Sequence, residues 1–170
     1  MKVAILHDYL NQFGGAERVL ESILEIFPSA HIYTLLFDNR RTWHKFDRYQ
    51  VFASPFNVPL VKRHHRFFIP FFPFISSRLK GREEYDLVIS STAGYSKGFN
   101  VKGSFHISYC HSPLRYAWEI DYLKNIPNFP APALSWLTGP AAEILKKWDR
   151  RSSARVNLFV ANSNFIARKI

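Results

Sequence analysis

A single cysteine, Cys110, stands among 170 residues, so no internal disulfide framework can hold this chain together. No apolar run approaches the ~18–20 residues that a bilayer-spanning helix needs. Acids are scarce: 13 Asp and Glu stand against 23 Lys and Arg. None occurs between Arg48 and Arg82, and Asp149 is the lone acid between Lys146 and Lys169. Cys-x-x-Cys and His-Glu-x-x-His spacings are missing too. His64 and His65 are neighbours whose side chains diverge on a helix or a strand, so they make no structural zinc site. There is no internal repeat and no low-complexity segment. A strand pattern that begins at residue 2 leads us to expect no signal peptide and, with the lone thiol, a cytoplasmic protein.

A hydrophobic content of 47% is present, enough for a single domain over residues 1–170 to bury a real core. The formal charge of +10 calls for an anionic partner: a nucleotide, a phospholipid surface or nucleic acid. Apolar runs and helical spacings alternate. Strands are expected at 2–7, 31–36, about 50–53, 86–91, 105–110 and 156–161. Helices are expected at 15–27, 113–124 and 141–152, with a helical stretch over 59–80 that Pro70 and Pro73 must kink or break. Residues 125–140, punctuated by Pro127, Pro130, Pro132 and Pro140, read as a loop. Such alternation predicts an α/β fold, a parallel sheet with helices on both faces.

Two strand-to-helix junctions concentrate the polar chemistry. The first is Val3-Ala4-Ile5-Leu6-His7-Asp8, followed by Gly14-Gly15-Ala16-Glu17-Arg18 and an amphipathic pattern through Val19, Leu20, Ile23, Leu24 and Phe27. Paired glycines before a helix let backbone approach a ligand and aim amides at an anion. The third glycine of the dinucleotide fingerprint is lacking, so this is not a classical NAD site. The second junction is Cys110-His111-Ser112-Pro113-Leu114-Arg115-Tyr116-Ala117-Trp118, with a histidine where a strand ends and a proline where a helix can begin. In open α/β sheets, chemistry gathers at the carboxyl ends of strands. Cys110 itself reads as a small buried hydrophobe.

Taken with Tyr85-Asp86-Leu87-Val88-Ile89-Ser90-Ser91 and the closing Val160-Ala161-Asn162-Ser163-Asn164-Phe165-Ile166-Ala167, these junctions form an ordered set. That set resembles the N-terminal, acceptor-side half of glycosyltransferase family 4 enzymes of the GT-B fold, mannosyltransferase-like members above all. The resemblance implies a Rossmann-like domain that supplies the acceptor surface of a retaining enzyme. Such an enzyme would move a hexose, mannose for preference, from a nucleotide-sugar to a saccharide or polyprenyl-linked acceptor. A C-terminal domain carrying most of the nucleotide-sugar site would follow. The chain alone would then be inactive, and no cofactor or metal would be required. In such enzymes the leaving phosphate helps to deprotonate the acceptor, and the sequence offers no convincing pair of opposed carboxylates of the retaining-hydrolase kind.

The resemblance also places residues. His111 would stand beside the transferred sugar as the catalytic group; the plain alternative is a histidine that caps a strand end. Gly14 and Gly15 would face the donor diphosphate or the acceptor, with Arg18 assisting or merely solvated on its helix, and Glu17 capping that helix. Asp8, Ser91, Arg115 and Ser163 would bind acceptor, while Asp8 could instead tie down the glycine loop and Ser163 could simply cap a helix.

The basic run Lys62-Arg63-His64-His65-Arg66 leads into Phe67-Phe68-Ile69-Pro70-Phe71-Phe72-Pro73-Phe74. Cations can hold anionic head groups while aromatics enter the interface, so Lys62, Arg63, Arg66, Phe67 and Phe68 form a candidate surface for a lipid-linked acceptor or the inner face of the cell membrane. Phenylalanines packed on the sheet, with only the cations exposed, are the alternative. A reading from another class stays open, a basic module for anionic surfaces or nucleic acid without catalysis. No recognised nucleic-acid motif appears, so nucleic acid is not the expected partner.

Overall fold

The protein's structure, a computed structural model, describes residues 1–119, 125, 135, 137 and 140–170. Six strands lie parallel in one sheet: β1 (Val3–Leu10), β2 (His31–Phe37), β3 (Val51–Ala53), β4 (Tyr85–Thr92), β5 (Gly103–Cys110) and β6 (Leu158–Ala161). Their order is β3-β2-β1-β4-β5-β6, an α/β Rossmann-like arrangement. The order reverses between β1 and β4, and crevices for ligands open at such a switch point. All six expected strands form, and β1 and β4 each run beyond the boundary expected from the sequence.

The first half of β1, Val3–Leu6, is apolar because it is buried on both sides. Ala4 and Leu6 join one core with Tyr33, Leu35 and Val88, while Val3 and Ile5 join another with Ile32 and Ile89. Leu20 and Leu24 of α1 (Gly15–Ile26) cover the second core. The first is covered by Val61 of α2 (Pro59–Arg63), by Ile69 of a 3-10 turn (His65–Phe71) and by Phe72 and Ile75 of α3 (Phe72–Arg78). Leu114, Ala117 of α4 (Arg115–Trp118) and Leu145 of α5 (Pro140–Ser153) complete it.

The helical stretch expected over 59–80 forms as these three short pieces. Pro59 opens α2, Pro70 sits in the 3-10 turn and Pro73 lies in the first turn of α3. Proline is tolerated where an amide would lack a helical partner anyway. The helix expected at 113–124 is corrected: it starts at Arg115, not Pro113, and is a single turn, with residues 120–124 outside the described set. Leu114 stays non-helical and turns its side chain into the core against Gly94, where a Cβ would stand 2.6 Å from Leu114 Cδ1. The loop expected at 125–140 lies almost wholly outside the described residues. Ser163 caps the short α6 (Asn164–Ala167), its Oγ accepting from the Ile166 amide at 3.3 Å.

No described helix is long and apolar enough to cross a membrane. β6 forms one edge of the sheet, and its Leu158 and Val160 remain exposed beside Phe105 of β5.

His106, inside β5, links two strands through Nε2 and the Ser90 Oγ of β4 at 2.9 Å. Burial, helped by the nearby Arg155 charge, pushes its imidazole down to about 4. An unfolded histidine titrates near 6.5, so between those values the unfolded chain binds the extra proton. Stability is therefore full above about pH 6.5 and falls as pH drops toward 4, by about 3 kcal/mol from this one residue. Urea unfolding across that range is expected to show this slope in the wild type, and His106→Gln is expected to flatten it.

Candidate functional site

The parallel register sets His7 of β1 directly beside Ser91 of β4, and Ser91 beside Tyr109 of β5. His111 follows one residue after β5 ends. Three neighbouring strands thus bring polar side chains to one rim of the sheet, at the switch point. They wall a cleft of about 290 Å³ together with Asp8, Tyr9, Gln12, Ala16, Glu17, Arg115 and Tyr116.

A continuous hydrogen-bonded line runs back from the cleft. His111 Nε2 lies 2.8 Å from Ser91 Oγ, and Ser91 Oγ lies 3.2 Å from His7 Nδ1. His7 Nε2 faces Glu17 Oε1 at 3.5 Å, and Glu17 Oε2 accepts the Gly14 amide at 2.7 Å. Ser91, His7 and Glu17 are 1%, 2% and 2% exposed, whereas His111 is only partly buried. Burial alone would raise the Glu17 carboxyl, but hydrogen bonds and charge from His7 and the amide of Gly14 outweigh it and hold it below the ordinary value. For His111, burial lowers the imidazole, a proton on His7 adds to this whenever it is present, and Asp8 and Glu17 oppose it. A neutral ring is the result at pH 7.

Asp8 serves differently. Its carboxylate accepts from the amides of Ala93 (2.7 Å), Tyr95 (3.0 Å) and Ser96 (2.5 Å), with the Thr92 hydroxyl 3.5 Å away. The expected tie from Asp8 to the glycine loop is therefore corrected. Asp8 holds the turn after β4, and Glu17 holds the glycine loop.

The two glycines of the first junction differ from each other. No described glycine has a positive φ. The Gly14 amide is spent on Glu17 rather than open to an anion. Gly15 borders open space, with nothing within 4 Å of where a Cβ would stand. Arg18 is exposed on α1 and is not part of the cleft wall. Arg115 does line the cleft. Ser163 stands outside it as the cap of α6, while its neighbour Asn162 donates through Nδ2 to the His111 carbonyl at 3.2 Å. Asn162 therefore anchors the His111 backbone.

The basic and aromatic segment abuts the cleft through Tyr9, whose ring centroid is 5.4 Å from Phe72 and 6.0 Å from His65. The segment splits by face. Ile69, Phe72 and Ile75 are buried, while Phe67, Phe71 and Phe74 are 50%, 54% and 55% exposed. Phe68 is half-buried against the core, Arg63 and Arg66 are exposed, and Lys62 reaches the Phe37 carbonyl at 3.4 Å. The Tyr9 phenol oxygen is buried without a hydrogen-bond partner among the described residues.

Larger hollows lie elsewhere, and two of them border β5. One of about 770 Å³ runs past Cys110, Trp118 and the buried Lys97–Asp149 pair (2.7 Å). One of about 450 Å³ lies at the opposite end of β5 beside His106 and Arg155. Neither contains the histidine line, so the smaller cleft is the stronger candidate for chemistry. Among the described residues no group of three His, Cys, Asp or Glu side chains could hold a metal. Comparison with protein-family models, with curated proteins and with solved structures returned no match.

Asp8→Ala would leave three amides without their acceptor inside the fold. We expect a loss of about 3 kcal/mol or more, read as a lower urea midpoint with an unchanged slope. Asp8→Asn, which keeps one carbonyl oxygen, is expected to recover part of it.

Proposed function

We propose that this chain is the acceptor-binding half of a retaining glycosyltransferase, and that the cleft at the β1/β4 switch point takes the reacting sugar hydroxyls. The observation that carries the reading is the meeting of His111, Ser91 and Arg115 at the carboxyl ends of adjacent parallel strands, in a cleft sized for a saccharide. His111 is the catalytic group. A neutral imidazole beside the transferred hexose can orient a hydroxyl without opposing positive charge that grows at the anomeric carbon. The resemblance of the sequence motifs to mannosyltransferase-like enzymes implies mannose as the preferred hexose and a nucleotide-sugar as the donor. The nucleotide is assigned to a second domain.

In this reading the exposed phenylalanines and neighbouring cations bring a polyprenyl-linked acceptor to the cleft. Phe67, Phe71 and Phe74 point away from the core beside Arg63 and Arg66, and the buried face of the same segment packs against Tyr9 at the cleft wall. A lipid surface held there would present its headgroup sugar within reach of His111. The protein would then work peripherally at the inner face of the cell membrane.

Two measurements test the reading. Titration with mannosides is expected to move the His111 side-chain NMR signals, and Arg115→Ala is expected to weaken the response. In an enzyme carrying both halves, His111→Ala is expected to lower kcat by about 10²–10³-fold with a smaller change in KM. Saccharides that leave the cleft untouched, alongside steeply salt-dependent binding of arbitrary oligonucleotides, would replace this reading with a basic binding module.

For the lipid surface, flotation with vesicles containing anionic phospholipid is the check. Each cation near such a surface contributes about 1 kcal/mol. The triple variant Lys62→Gln, Arg63→Gln, Arg66→Gln should therefore bind roughly 100-fold more weakly at low salt. Unchanged binding would remove the membrane from the proposal.

A further inference from the structure

The line from His111 to Glu17 has a direction, and that direction decides what His111 presents to the cleft. Glu17 is ionised and accepts the Gly14 amide on Oε2, so its Oε1 also needs a donor. His7 Nε2 is the group that faces Oε1, so Nε2 carries a proton. In a neutral His7, Nδ1 is then an acceptor, and the Ser91 hydroxyl donates to it. Ser91 Oγ in turn accepts from Nε2–H of His111. The result is a neutral His111 whose Nδ1 lone pair has no protein partner among the described residues.

We propose that Glu17, His7 and Ser91 are positioning residues forming a buried proton relay behind His111, so that a proton shed in the cleft leaves His111 neutral and places the charge on His7 against Glu17.

The proton balance is as follows. A proton from a cleft hydroxyl or from solvent binds Nδ1 of His111, and the donor oxygen keeps the electron pair. The Nε2–H bond of His111 breaks as its proton passes to Ser91 Oγ. The original Ser91 proton moves to Nδ1 of His7. His111 ends as the opposite neutral tautomer, with N–H toward the cleft and Nε2 accepting from Ser91. His7 ends as an imidazolium whose Nε2–H points at the Glu17 carboxylate. No oxidant, metal or co-reactant enters.

The surroundings fit this charge placement. Burial already disfavours a cation on His111. His7 has a carboxylate 3.5 Å away, at the outer limit for a hydrogen bond and free to shorten as charge builds. The other polar groups facing the line are Asp8 and Tyr9 on β1, Tyr95 after β4, Tyr109 on β5, and Arg115 and Tyr116 on α4. Asp8 is committed to three amides. The Tyr95 hydroxyl donates to the Ile69 carbonyl at 3.3 Å. Glu17 is thus the acid that closes the line. The device matters most for a reaction in which positive charge grows in the cleft, because a cationic His111 would oppose it. In that respect the inference rests on the proposed function.

The test is read without substrate, so it can fail or succeed independently of the transferase reading. Imidazole nitrogens give distinct ¹⁵N signals when protonated and when bare. At neutral pH the wild type is expected to show His111 protonated at Nε2 and bare at Nδ1. On acidification the two nitrogens of His111 should exchange roles while His7 acquires its second proton. Ser91→Ala cuts the line and Glu17→Gln removes the charge while keeping the side-chain shape. In both, His111 should instead become doubly protonated, and Ser91→Thr should restore the exchange. The wild-type titration decides even if no variant folds. Double protonation of wild-type His111 with His7 unchanged would overturn the relay, as would an unaltered exchange in Ser91→Ala.

Discussion

The carboxylate of Asp8 is the constraint on which this rim of the sheet depends. Parallel strands end in a row of backbone groups that the sheet no longer satisfies, and buried amides without partners are costly. One charged side chain from β1 reaches across to β4 and takes the amides of Ala93, Tyr95 and Ser96. Charge-assisted bonds of this kind are short and strong. The turn they fix carries Tyr95 into the core against Phe72 and Trp148, and it sets Gly94 against Leu114. The segment that leads from His111 into α4 is therefore held by the same anchor. Without Asp8, the floor of the cleft and the wall beyond it lose their common reference point.

Beside that anchor, a second polar system occupies the switch point for a different reason. His7, Ser91 and Glu17 are as deeply buried as the neighbouring leucines, and a buried polar group is tolerated only when it is bonded. Each of the three has partners on both sides. A core built for stability alone would place apolar residues at these positions, as β1 does at Ile5 and Leu6. The polar line continues to the partly buried His111, so its burial fixes the orientation of a side chain at the cleft.

The alternation of strands and helices, the parallel sheet covered on both faces and the placing of His111 at a strand end were legible in the sequence, because each rests on a local signal. Continuous apolar runs mark strands buried on both faces, and the polar changes at Thr92 and His111 mark the carboxyl ends of β4 and β5, whereas β1 runs on past Asp8 to Leu10. What escaped depends on register. Nothing local pairs His7 with Ser91 across 84 positions, and Glu17 has a sufficient local role in holding the Gly14 amide. Its second oxygen, the one facing His7, is visible only after α1 is docked. Asp8 misled for the same reason: its carboxylate suits the amides of the glycine loop as well as those of the turn after β4, and only the path of the 92–96 turn selects between them. Pro113 suggested a helix start, yet the pull of Leu114 into the core against Gly94 delays the helix by two residues.

Tyr9 connects the parts that the sequence presented as separate. Its ring packs against His65, Phe72 and Tyr95 on the first-core side of the sheet, and the same residue lines the cleft. One flank of that packing is the cleft and the other is the segment whose outer phenylalanines are exposed. The elements of that segment are short and broken by prolines, so packing on the sheet rather than helix propensity holds them in place. Tyr9 supplies part of that packing, and its phenol oxygen is buried with no hydrogen-bond partner among the described residues. The same ring that closes the core thus borders both the cleft and the segment that carries the exposed phenylalanines.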